Sequence, residues 1–133
     1  MSITIIISQW ALDAYLNLKH SNVINRGTYK NIRADALLLA SYPSHPKFGL
    51  QQFWCIAESP SGIKIPSGFK MKWDQVGPGK VELRLPVVIR SDAVLCQAYV
   101  KSNSKSETRY LAKFRAQAEL VLLEKYTKRG VLK

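Results

Sequence analysis

The spacing of apolar positions changes several times along the chain, and each change marks an element. Ile3–Ile7 is a short run rich in β-branched residues, which predicts a strand. Ser8 then offers an N-cap for a helix over about Gln9–His20, with Ala11, Ala14, Tyr15 and Leu18 along one face. Asn25-Arg26-Gly27 interrupts that pattern. Thr28 is the candidate cap of a second helix through Ile32, Ala36, Leu39 and Ala40, which Pro43 stops. Residues 43–52 have loop composition.

Beyond residue 52 the period falls to two. Phe53–Ala57 reads as a strand, Ser59–Gly62 as a turn and Ile63–Ile65 as a short extended return. Phe69, Met71 and Trp73 alternate with Lys70, Lys72 and Asp74. After the turn at Gly77-Pro78-Gly79, Val81, Leu83 and Leu85 alternate with Lys80, Glu82 and Arg84. Ser91-Asp92 turns the chain into a strand over 94–100. The last element is helical: Ser104 and Glu107 have capping-box spacing, and Leu111, Phe114, Ala118, Val121 and Leu122 form an apolar stripe. Lys125, Lys128 and Arg129 fit its last turn, with Gly130 as its C-cap. The order β-α-α-β(about 4)-α predicts a single α+β domain over residues 1–133, a mostly antiparallel sheet with helices packed on one face.

Composition sharpens the functional side. The chain has 133 residues, 20 Lys+Arg and 9 Asp+Glu, for a formal net charge of +11. Residues 1–60, 61–99 and 100–133 carry net +2, +3 and +6, so the charge concentrates toward the C-terminal part. Clustered Lys and Arg suit a polyanion through counterion release, or an acidic protein partner, or simply a solvated basic face. No apolar run approaches the roughly 20 residues of a membrane span, and no signal-peptide pattern opens the chain, which points to a cytoplasmic protein. Cys55 and Cys96 lie in apolar stretches, as reduced, buried thiols would.

Motifs for a metal or a small-molecule cofactor are absent. His20 and His45 are isolated, no G-x-S-x-G, P-loop or dinucleotide fingerprint occurs, and Asp13, Asp35, Glu58 and Asp92 form no carboxylate pair. Strand alternation instead places Lys70, Lys72, Lys80 and Arg84 on the face opposite Phe69, Met71, Trp73 and Leu83, with Tyr99 and Lys101 together on one face of the last strand. Such a face suits RNA phosphate, with an aromatic ring for stacking; ordinary cross-strand charge pairing is the alternative. A ribonuclease that uses the RNA 2′-OH as nucleophile needs only a base, an acid and fixed cations, which Tyr, Lys and Arg can supply.

Val81-Glu82-Leu83-Arg84, the strand end Ala98-Tyr99-Val100-Lys101, and Ser104–Arg109 leading into a helix with Ala112, Ala116 and Tyr126 together resemble the phage-type HigB branch of the RelE superfamily. The resemblance covers roughly residues 80–127, and the N-terminal half agrees in element order alone. Where the branch has a double lysine after its last strand, this chain has Lys101-Ser102, with the next lysine at Lys105. The resemblance implies a RelE/ParE-like fold and a type II toxin, a ribosome-dependent mRNA endonuclease restrained by an acidic antitoxin. It makes Arg84 a phosphate stabiliser and Lys101 and Tyr99 its catalytic companions. Lys70, Lys72, Lys80, Arg90, Lys105 and Arg109 are the candidate contacts to mRNA or ribosomal RNA. A non-catalytic ParE-like inhibitor of DNA gyrase and a basic nucleic-acid-binding protein without catalysis are the competing expectations.

Overall fold

The computed structural model describes residues 2–59 and 61–133. Its elements run β1 (Ile5–Ser8), α1 (Gln9–His20), α2 (Arg26–Leu37), β2 (Trp54–Glu58), β3 (Lys64–Val76), β4 (Val81–Ile89), β5 (Ala93–Leu95), β6 (Tyr99–Lys101), α3 (Ser104–Leu122) and β7 (Lys128–Val131). The strands form one sheet in the order β2-β3-β4-β5-β1-β7, with β6 also beside β4. Pairing is antiparallel throughout except between β1 and β5, which run parallel. The architecture is α+β, with three helices on a mostly antiparallel open sheet.

The helices cover both faces of the sheet, not one as the pattern predicted. Ile5, Met71, Leu85, Val87 and Leu95 build one core with Ala36 of α2. Ile6, Val88, Val94 and Cys96 build a second with Leu111, Phe114, Ala118 and Val121 of α3. The central strands are apolar on both sides where these cores lie: positions 83–88 are all buried. A sheet that buries both faces reads as a continuous apolar run, as Ile3–Ile7 and Pro86–Ile89 do, whereas a one-sided sheet alternates cleanly.

Several boundaries also move. The cap of α2 is Asn25, whose side chain accepts from the Thr28 N–H at 2.8 Å, so the helix starts two residues before Thr28. The short return and the Phe69–Trp73 stretch are one strand, β3. The expected strand over 94–100 is interrupted: β5 and β6 flank Cys96–Ala98, and the pairing with β4 shifts by one residue between them. That bulge turns the Tyr99 and Lys101 side chains onto the face shared with Arg84.

The beginning and end of α3 differ as well. Its capping box is Asn103 with Ser106, because Glu107 turns inward to the sheet. The helix stops at Leu122, where Glu124 adopts a left-handed φ of 58°. Lys128 and Arg129 therefore belong not to a last helical turn but to β7, with Gly130 inside that strand rather than at a C-cap. Stacking of Trp10 on Tyr126 holds this return against the start of α1.

Candidate functional site

Register brings the predicted basic residues together. Lys72 pairs with Arg84, and Arg84 with Tyr99, across three neighbouring strands, while Lys70 and Lys101 lie two residues away on the same face. This is the face that α3 covers. The N-terminal half of α3 lowers Glu107 and Tyr110 onto it. Glu107 Oε2 accepts from the Tyr99 hydroxyl at 2.7 Å and from Lys70 Nζ at 3.3 Å; its Oε1 faces Lys101 Nζ at 3.8 Å. The Tyr110 ring stacks on Tyr99, with centroids 4.6 Å apart and planes 7° from parallel.

Arg84 is the anchor of the cluster. Its residue is only 6% exposed. One guanidinium nitrogen donates to the Trp73 and Leu83 carbonyls and to Asp74 Oδ1 at 3.1 Å, and Glu82 lies 4.0 Å from the other. A guanidinium stays charged wherever it is placed, so this geometry holds a fixed positive charge beneath the face. Asp74 and Glu82, both about half exposed, sit at its outer margin.

Burial is the largest single influence on each of the two acids, but it decides the outcome only for Tyr99. Burial pushes the Tyr99 hydroxyl well above its ordinary range, and the bond to anionic Glu107 adds to the effect despite nearby Arg84. For Glu107, burial alone acts to raise the pKa. The Tyr99 hydroxyl, Lys70 and Lys101 outweigh it and hold the carboxyl below its ordinary value. The face thus carries a Tyr that keeps its proton and a Glu that stays ionised.

Of the residues predicted for the site, Lys70, Lys72, Arg84, Tyr99 and Lys101 converge here. Tyr99 is 2% exposed with its ring against Tyr110, so stacking on a base is not what its position offers. Lys105 and Arg109 are exposed on the first turns of α3, and Lys80 is exposed at the β3–β4 turn with φ 50°. Arg90 is not brought to this face. It lies six residues beyond Arg84, about 20 Å along the strand direction. There it joins Asp92, Glu124, Tyr126 and the Val121 carbonyl in a clasp that ties the end of α3 to β4. Sequence reasoning missed Glu107 and Tyr110. Their signal was present but ambiguous: Glu107 is the one acid in the N-terminal half of a strongly basic helix, at a position that also suits a capping box.

Cys55 and Cys96 are free; Cys96 is fully buried, whereas Cys55 is only half-buried, not buried as expected. Among the described residues, no group of three or more His, Cys, Asp or Glu could hold a metal ion, and no helix is long and apolar enough to cross a membrane. No family model, curated protein or solved structure matches the chain.

Proposed function

We propose that the chain is a RelE/HigB-like toxin of the cytoplasm, a ribosome-dependent mRNA endonuclease restrained by an acidic antitoxin. The observation that carries this reading is the convergence of Lys70, Lys72, Arg84 and Lys101 around Glu107 on one sheet face. The element order β-α-α, a run of strands, then α supports it as far as α3, since that is the order expected of a RelE/ParE-like fold; β7, which follows α3 and pairs with β1, lies outside that expectation.

In this reading Arg84 and Lys72 stabilise the charge that develops on a pentavalent phosphate. Glu107 accepts the 2′-hydroxyl proton through Oε1, which faces Lys101 Nζ at 3.8 Å. The 2′-oxygen bonds to phosphorus, the bond to the 5′-oxygen breaks, and Lys101 donates the proton that this leaving group takes. The products are a cyclic phosphate and a 5′-hydroxyl. Metal is not required for any of these steps.

The test is expression in bacteria of the wild type and of Arg84→Ala, Lys101→Ala and Glu107→Gln, with growth recorded and RNA 5′ ends mapped. Growth arrest with new mRNA ends is expected for the wild type and should be lost in all three variants. Intact mRNA and normal growth on wild-type expression would overturn the reading. The enclosure of Tyr99 favours a second reading, a non-catalytic ParE-like inhibitor of DNA gyrase, because it removes one proton-transferring group from the face. A supercoiling assay separates them: gyrase inhibition without RNA cleavage would select the second.

A further inference from the structure

β2 is the outermost strand at its end of the sheet, and the segment that precedes it, residues 42–53, packs against it. An open cleft of about 650 Å³ runs along this margin. Aromatic rings form one side. Trp54 and Phe69 are stacked at 5.1 Å, and Tyr42 lies 4.9 Å from Phe48 and 5.3 Å from Trp54. Trp54 is buried, whereas Tyr42 and Phe48 keep part of their surface open. Cations line the rest of the cleft: Lys70, paired with Cys55, and Lys72 reach it around the β2 edge from the other face of the β2–β3 pair, and Lys64 lines it too. Among the described residues, Glu58 is the one acid lining it.

We propose that this cleft is a second subsite for single-stranded RNA, in which a base lies against Tyr42 and Phe48 while the adjoining phosphates meet Lys64, Lys70 and Lys72. The inference rests on the RNA reading of the Arg84 face and extends it. Lys70 and Lys72 belong to both places, so a strand held at Arg84 enters the cleft without leaving positive surface. Rings beside lysines are the combination that grips unpaired nucleotides, since every base has a π-face and every linkage a charge. Phosphate neutralisation also predicts marked salt dependence. An extended acidic peptide, adding a strand to the open side of β2, is the competing occupant. The rings favour a base, because an acidic peptide offers the lysines carboxylates but gives Tyr42 and Phe48 no flat ring to stack on.

The experiment measures binding of the full chain to a fluorescein-labelled 2′-O-methyl hexanucleotide, which cannot be cleaved by 2′-OH attack, across a salt series. Phe48→Leu keeps apolar bulk but removes the ring, and should weaken binding about 5- to 150-fold, the equivalent of one lost base stack. Lys64→Ala, at an exposed position that does not threaten folding, should reduce the slope of log K against log salt by about 0.7. Lys101→Ala reports on the Arg84 face independently and should also weaken binding. If Lys101→Ala weakens binding while Phe48→Leu and Lys64→Ala behave as wild type, the cleft proposal is overturned and the RNA reading stands. If the wild type binds no hexanucleotide even at low salt, both fall. Tight binding of a glutamate-rich extended peptide that Lys64→Ala abolishes, with the hexanucleotide indifferent to both cleft variants, would assign the cleft to a peptide and overturn the proposal as well.

Discussion

Replacing Glu107 with Ala removes the one carboxylate on which Tyr99, Lys70 and Lys101 converge. A hydrogen bond to an ionised acceptor contributes about 1.5–3 kcal/mol, and an orphaned buried hydroxyl costs a comparable amount. The two overlap here, because the lost bond is what orphans the Tyr99 hydroxyl. The Lys101 contact adds little, being 3.8 Å long with the lysine side chain 34% exposed. The net expectation is a loss of about 2–4 kcal/mol, and with roughly 4 °C per kcal/mol for a chain of this length, a Tm lower by about 8–16 °C.

Glu107→Gln keeps an acceptor for Tyr99 and removes only the charge, so it should lose about 1–2 kcal/mol at pH 7. The pH dependence separates charge from packing. The folded-state pKa of Glu107 lies below its unfolded value, so its ionic stabilisation is fully present above about pH 4.3. It is lost as pH falls through the folded value. Urea unfolding at pH 7 and pH 3 should therefore show a gap between wild type and Glu107→Gln that narrows in acid, while the gap to Glu107→Ala persists in part. A Glu107→Ala protein within about 0.5 kcal/mol of wild type at pH 7, or a wild-type-to-Gln gap unchanged by acid, would show that the Glu107 contacts contribute little to stability.

Three further outcomes are expected. Gly77→Ala should lose about 2 kcal/mol or more in chemical denaturation, because φ is 70° and an added Cβ would lie 2.3 Å from the Val23 carbonyl oxygen; unchanged stability would show that this close approach relaxes freely. Arg90→Ala should destabilise the protein by about 2–4 kcal/mol through loss of its clasp, yet leave RNA affinity within about twofold. A large affinity loss at unchanged stability would return Arg90 to the binding surface. Burial pushes the Cys96 thiol up to about 12, so at pH 8 iodoacetamide should label half-buried Cys55 while Cys96 reacts only on unfolding. Equal labelling rates in the native protein would contradict the burial.

Local chemistry was enough to place most elements. The β-branched opening run, the Ser8 cap, the alternation across the Gly77–Gly79 turn and the 3-4 stripe of α3 are encoded within a few residues, since strand and helix periods are local properties of the backbone. The same alternation put Lys70 and Lys72 on one face of their strand, and with the hairpin expected at the Gly77–Gly79 turn it put Arg84 beside them. Tyr99 and Lys101 needed tertiary information. The bulge at Cys96–Ala98 sets which way they point, and a one-residue shift reverses a strand's faces.

Longer-range outcomes depended on contacts between distant segments. Nothing local distinguishes an α3 stripe that packs beside α1 and α2 from one that packs on the far side of the sheet; the apolar surface of β1 and β4 on both faces decides it. The tail after Leu122 carries helix-compatible lysines, yet it becomes β7 because β1 offers an open edge only in the folded protein. Glu107 is the clearest instance. By itself it is a polar residue near a helix start; on the sheet-facing side of α3, with Tyr99 and Lys70 held against it, it is the charged centre of the basic face. The charge of +11 is written in the composition, whereas its focus at one carboxylate is a product of strand register and helix docking.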